Sequence, residues 1–179
     1  MKPAVPLSRY LTFTALAVGV CAADLASKSW VFRWLGGPSG GIWWAWEGVF
    51  GFQTSLNRGA LFGLGQGFWL VFAAMSVVAA AGIVVWLFAF RAANDWLRTI
   101  ALGLVTGGIL GNLYDRLALH RLTWVDGTPA HAVRDFIVMF QVGEWHWPNY
   151  NLADAGLVCG AGLLICQAFL AKPTPSEAD

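Results

Sequence analysis

Charge is what this 179-residue chain has least of: Asp, Glu, Lys and Arg make up 12% of it and nearly cancel, leaving a net charge of +1. A soluble domain carries about 25% charged residues. The 11 basic and 10 acidic side chains present here could not cover a soluble surface without leaving large apolar patches. That argues against a soluble enzyme, and the 58% apolar content argues against a disordered chain. There is no basic run either, which with the small net charge speaks against a nucleic-acid partner. Cysteine is scarce as well. Cys21, Cys159 and Cys166 lie in apolar stretches, with neither metal-ligand spacing nor an even-numbered disulfide framework. They read as small apolar residues in helices. No repeat of solenoid length occurs.

What the chain does have is long apolar runs, and its mean hydropathy is +0.60. Phe68 to Phe90 is 23 residues without a charge, roughly 35 Å of helix and enough for one membrane span. Weaker runs predict three more spans, at about 11–32, 96–119 and 152–171. An α-helical integral membrane protein with four transmembrane helices follows, in a single membrane domain over 1–171, with both termini on one side. The long connections, about 33–67 and 120–151, lie on the other side and mark the working face. The Pro-containing tail 172–179 reads as disordered.

Basic residues divide almost evenly between the two sides, so charge alone orients the protein weakly. Tryptophan is more informative. Nine of the 11 fall on the side away from the termini: Trp30, Trp34, Trp43, Trp44, Trp46, Trp69, Trp124, Trp145 and Trp147. Indole rings favour the headgroup region, so a deep interfacial layer is expected there. The N-terminus, with Lys2 and Arg9 before an apolar stretch ending at Cys21, also has the outline of a signal peptide. Val20 before Cys21 fits such a cleavage site poorly, and the apolar run continues to Phe32, so a retained helix is the expectation.

Ionisable residues within spans cost about 2.5–3.5 kcal/mol each at a helix centre, and a chain keeps them when they pair or do chemistry. Asp24 and Lys28 share a helix face at i, i+4 and can neutralise each other or brace other polar groups. Gly48 to Thr54 reads as a short strand, and Asn57-Arg58-Gly59 after it as a turn. Asn112, Asp115 and Arg116 lie on one face at the end of the third span, after the small residues Gly107, Gly108 and Gly111. Asp135 and Asp154, from facing segments at one membrane edge, suggest a carboxylate pair sharing one proton. The charged member can take a proton from water while the neutral one polarises a carbonyl. A proton or ion relay in a transporter would use such residues too.

Taken in order, Asp24-x-x-x-Lys28, Asn57-x-Gly59-Ala60-x-Phe62, Gly108-x-x-Gly111-Asn112-x-x-Asp115-Arg116, Val133-x-Asp135-Phe136 and Asn151-x-Ala153-Asp154 resemble lipoprotein signal peptidase, or signal peptidase II, over about residues 11–171. The resemblance implies an aspartic endopeptidase of the bacterial inner membrane that cuts prolipoproteins just before a diacylglyceryl-modified cysteine. It makes Asp135 and Asp154 the catalytic pair. Supporting and substrate-binding roles fall on Asp24, Lys28, Asn57, Gly59, Asn112, Asp115, Arg116 and Asn151. It also implies a small β-rich cradle and a short interfacial helix built from the first outer connection, on the periplasmic side. Both termini would be cytoplasmic, with the site open to lipid at the outer leaflet. No metal or cofactor is implied, membrane lipid and prolipoprotein are the partners, and a monomer is the default.

The sequence departs from that pattern in places. Arg116 to Asp135 is 19 residues, longer than the family spacing, with an extra segment at about His120–Ala132. Asp126 in that segment also follows a valine and rivals Asp135, but lacks the following Phe. Leu61 stands where a smaller residue is common. His120, His131 and His146 have no metal spacing and read as solvated. Besides the peptidase and the transporter, a non-catalytic assembly factor binding other membrane helices stays open. It would tolerate amide replacements of Asp135 and Asp154.

Overall fold

The longest apolar runs are helical, as their lack of polar partners in lipid requires. The computed structural model describes residues 3–38, 40–59, 64–143 and 145–170. Helix α1 is Leu7–Trp34, α2 is Trp69–Val84 and continues as a π-turn over Val85–Ala89, α3 is Trp96–Arg116, and α4 is Leu152–Leu170. All four are long and apolar enough to cross a bilayer. Helix α1 begins directly after Pro6 and runs further at both ends than the apolar run alone suggests. Helix α3 stops at Arg116, short of Leu119, because the chain turns out of the helix through Ala118 at φ 55°. The tail 172–179 lies outside the described residues.

Helix α3 is the centre of the bundle: half of its most apolar stretch is buried, against 11–17% in the others. Glycine lets its neighbours approach. A methyl group on Gly107 would come 2.6 Å from Val20 Cβ of α1, and one on Gly160 of α4 would come 2.5 Å from the Ala101 carbonyl. Gly108 faces the Ala153 carbonyl at the start of α4 in the same way. At the terminal end the α2–α3 connection is tight. Arg91 adopts φ 58°, and Asp95 caps α3 by accepting the Arg98 N–H at 2.9 Å. The Arg9 guanidinium lies 3.5 Å over the Trp96 ring and its Nε donates to the Ala93 carbonyl.

At the opposite end sits a four-stranded antiparallel sheet, β1 (Ile42–Trp46), β2 (Phe50–Asn57), β3 (Val133–Val142) and β4 (Trp145–Tyr150), in that order. Each outer connection supplies one hairpin, so the cradle is not built from the first connection alone. The reason is backbone hydrogen bonding: the free edge of β2 is completed by β3. Among the described residues of the first connection no helix occurs, so the implied interfacial helix is not found there; Ala60 to Gly63, and Leu61 with them, lie outside those residues. The sheet is anchored where Val31 and Phe32 of α1 pack on Phe136 and Ile137 of β3. Val133 to Val138 are consequently buried on both faces of the strand.

The extra segment between α3 and β3 is itself ordered. Thr123 and Pro129 form a bridge, Trp124 N–H donates to the Thr128 carbonyl, and Ala130 N–H to the Leu122 carbonyl, each hydrogen bond 2.9 Å. It is a small hairpin with Val125, Asp126 and Gly127 at its tip.

Candidate active site

Strands β2 and β3 and helices α3 and α4 converge where the sheet meets the bundle. Strand β3 carries Asp135 and the start of α4 carries Asp154. Asn151 immediately precedes α4 and acts as its N-cap: its Oδ1 accepts the Asp154 N–H at 3.0 Å, while Asp154 Oδ2 accepts the Asn151 N–H at 3.2 Å. This is the reciprocal capping box, with an aspartate in the third helical position. Helix initiation thus holds Asp154 in place. The same asparagine reaches across to β3, where its Nδ2 donates to Asp135 Oδ1 at 2.6 Å. One residue therefore engages both carboxylates, Asp135 through its side chain and Asp154 through its backbone N–H.

The second oxygen of Asp135 accepts from Asn57 Nδ2 at 3.1 Å. Register explains the reach: Ser55 pairs with Asp135 and Asn57 with Val133, so Asn57 is the diagonal neighbour, just past a bulge between Phe52 and Ser55. Gly59 N–H occupies Asn57 Oδ1 at 3.0 Å. Asp154 Oδ1 accepts from Asn112 Nδ2 at 2.8 Å, and Asn112 Oδ1 accepts from Lys28 Nζ at 3.0 Å. In all three asparagines a donor-only group claims the oxygen, which leaves the NH2 to face the acids.

Behind Asn112 lies a buried ion chain. Lys28 Nζ is ringed by Asp24 Oδ2 at 2.6 Å, Asn112 Oδ1 at 3.0 Å and Asp115 Oδ2 at 3.2 Å. Asp24 Oδ1 accepts the Ala153 N–H at 2.9 Å, in the first turn of α4. Asp115 is closed on its other side by Arg134: the Arg134 N–H, Nε and Nη2 all donate to it at 2.8–3.0 Å. Asp24, Lys28, Asp115 and Arg134 have 4% of their surface exposed or less. Their formal charges sum to zero, which makes burial beside lipid tolerable. So the pair at i, i+4 does not merely neutralise itself; it braces α1, α3 and α4 together.

Arg134 was not among the site residues expected from the sequence. Its signal is its place beside Asp135 in a buried apolar strand, where an arginine needs a partner. Arg116 differs: no hydrogen bond or ion pair holds its guanidinium among the described residues. It senses the charges of Asp154 and Asp135 and lies 5.4 Å over the Phe72 ring. Burial, then the nearby Asp154 charge, pushes the Asp135 carboxyl up to about 7.

Asp126, the rival acid, sits exposed at the hairpin tip. Its Oδ1 accepts the Thr128 N–H and Oγ1 at 2.9 and 2.7 Å, and those bonds hold its carboxyl below the usual range. The histidines are not simply solvated. His120 Nδ1 accepts from Leu122 N–H, which puts the proton on Nε2, facing the Ala132 carbonyl; burial pushes its pKa down. His131 stacks on Trp69 at 3.7 Å and bonds the Arg116 carbonyl at 2.9 Å through Nδ1. The His146 side chain lies outside the described residues.

Known proteins share this arrangement of sequence and fold. The family model described as signal peptidase (SPase) II matches residues 16–170. A lipoprotein signal peptidase of Rhodopirellula baltica is 49% identical over 98% of this chain and 80% of its own length. One of Pseudomonas aeruginosa is 37% identical over 73% of this chain and 72% of its own. A bacterial membrane enzyme solved by the in meso method shares the fold, with a TM-score of 0.75 at 22% identity, covering 99% of this chain and 97% of that one. The matched stretch takes in the four helices, the sheet and both acids held by Asn151: this chain belongs to the signal peptidase II family.

Proposed function

We propose that this membrane protein is an aspartic endopeptidase that removes the signal peptide from diacylglyceryl-modified prolipoproteins, cutting just before the lipidated cysteine, with Asp135 and Asp154 as its catalytic pair. The removal of signal peptides from prolipoproteins is the role of its family. The observation that carries the aspartic reading is Asn151, which engages both carboxylates at once.

With its carboxyl pushed up to about 7, Asp135 keeps the shared proton at neutral pH and Asp154 carries the charge. Asp154 takes a proton from water as the water oxygen attacks the scissile carbonyl carbon. Asp135 gives its proton to the carbonyl oxygen. The tetrahedral intermediate collapses as Asp154 passes the water-derived proton to the amide nitrogen, the C–N bond breaks, and Asp135 recovers a proton from the hydroxyl. Asn57, Asn112 and Asn151 hold the acids in register, with Gly59 fixing Asn57. Asp24, Lys28 and Asp115 brace Asn112 and the head of α4. The Arg116 guanidinium, which no hydrogen bond or ion pair holds among the described residues, is suited to a substrate carbonyl.

The substrate is a membrane helix bearing acyl chains, so it arrives sideways through lipid. The termini are cytoplasmic, the site opens at the outer leaflet of the bacterial membrane, and one chain holds one complete site, so the unit is a monomer. A transporter would need polar groups along the depth of the bundle, whereas the buried charges here gather at the sheet end and α2 has none.

The test is release of signal peptide from a diacylglyceryl-modified prolipoprotein by purified protein in detergent. Asp135→Asn and Asp154→Asn should each lower the rate by at least about a hundredfold while keeping wild-type helicity, and Asp126→Asn should not. Cutting that survives both replacements would remove the aspartic mechanism. No cutting by wild type of a competent substrate would remove the peptidase reading.

A further inference from the structure

The hairpin at 122–130 walls a cleft of about 410 Å³ whose lining includes neither Asp135 nor Asp154. The cleft lies between the hairpin, the residue after β2 and the head of α2, lined by Arg58, Trp69, Trp124, Thr128 and His131 among others. Two flat stacks form its walls. The Arg58 guanidinium lies 3.8 Å over Trp124, and Trp69 lies 3.7 Å over His131. Both stacks join the candidate active site. Arg58 directly follows Asn57, which donates to Asp135, and His131 bonds the carbonyl of Arg116.

We infer that this cleft receives the extended polypeptide that follows the scissile bond, the first residues of the mature lipoprotein. The inference rests on the peptidase reading above. A chain cut at the Asp135–Asp154 pair has two ends. The signal helix stays with lipid, and the other end must leave through the connections at the sheet end of the bundle. The cleft is built from those connections, and its Arg58 follows in the chain directly on Asn57, which donates to Asp135.

Its chemistry suits a polypeptide. Aromatic faces pack against an extended backbone and its side chains without demanding one sequence. The Arg58 guanidinium supplies donors for backbone carbonyls. The Arg58 charge acts on Asp126 across the rim, so the cleft does not concentrate positive charge as a phospholipid headgroup site would. Acyl chains would require a wall without ions. The hairpin is closed by its own hydrogen bonds, so the wall is formed beforehand and binding does not have to order it. A volume of this size falls in the range of sites that hold a short peptide or drug-sized molecule.

The experiment compares two diacylglyceryl-modified substrates with the same signal peptide, one ending just past the cysteine and one continuing for several residues. Wild type should cut the long one with a kcat/KM roughly tenfold higher, the equivalent of one good subsite. In Trp124→Ala and in Arg58→Ala, each checked for wild-type helicity and thermal transition, the long-to-short ratio should fall towards one. Equal rates for the two substrates in wild type, or a ratio preserved in both variants, would overturn the inference and leave the peptidase standing. Cleavage of neither substrate by wild type would remove both. Variants that keep the ratio but lose a dependence on anionic lipid in mixed micelles would make the cleft a headgroup site and also overturn it.

Discussion

Single residues in this protein are held by what they donate or accept rather than by their neighbours in sequence. Arg134 is the clearest case, because its fork and its backbone N–H both end on Asp115. Arg134→Met leaves a buried carboxylate short of a counter-charge and should cost about 3–5 kcal/mol, read as a lower thermal or denaturant midpoint in detergent. Adding Asp115→Asn returns the chain to charge balance and should recover part of that loss. Asp135 gives a pH dependence. Its carboxyl moves from 3.8 in the unfolded chain to about 7 when folded, so between those values the folded protein binds the extra proton. The stability this carries is complete below about pH 4 and is lost as pH rises through about 7, at most on the order of 1.4 kcal/mol per pH unit. Asp135→Asn cannot titrate, and its thermal midpoint should lack that decline between pH 5 and 8. A parallel decline in the variant would place the titrating group elsewhere.

The elements owe their positions to close contacts at glycine and to caps. Gly108 and Gly111 bring α3 against Ala153, the residue before Asp154. Gly108→Val should push the head of α4 away, cost about 1–3 kcal/mol and abolish peptide release while the far-ultraviolet spectrum stays helical. Gly162→Ala meets open space and should change neither. Much at this scale was legible beforehand. The apolar runs located all four helices, and Gly48 to Thr54 marked part of β2. What was missed follows from range. β1 and β4 are edge strands whose Trp-rich sequences look like interfacial loops until β2 and β3 supply hydrogen bonds. Asn151-x-x-Asp154 has capping-box spacing, so the local hold on Asp154 was readable from the sequence, whereas the reach of the same Asn151 to Asp135 was not.

Across the whole molecule, aromatic side chains gather at the sheet end. Trp30, Trp34, Trp43 and Phe52 contact one another in series from the end of α1 onto the sheet, with centroids 5.2–5.8 Å apart. Trp46, Trp145 and Trp147 are exposed beside them. Such a layer belongs at the headgroup level. In vesicles, tryptophan fluorescence should be quenched at least about twofold more by headgroup-level spin-labelled lipid than by lipid labelled at the chain terminus. Equal quenching would mean the sheet is not interfacial.

The solvent, the number of spans, the end of the bundle where polar groups collect and the choice of Asp135 and Asp154 as candidate acids are readable from the residues alone. Each of these depends on composition or on spacing within a few residues, where helix and strand geometry are known in advance. Who holds whom is a matter of packing: Arg134 on Asp115 across 19 residues, Lys28 on Asn112 across 84, and Asn57 on Asp135 across 78. Packing also decides that Asp126 caps a turn at the surface while Asp135 meets Asn151. Those partnerships are set by strand register and by how closely glycine lets helices approach, which are properties of the packed chain and not of any segment read alone.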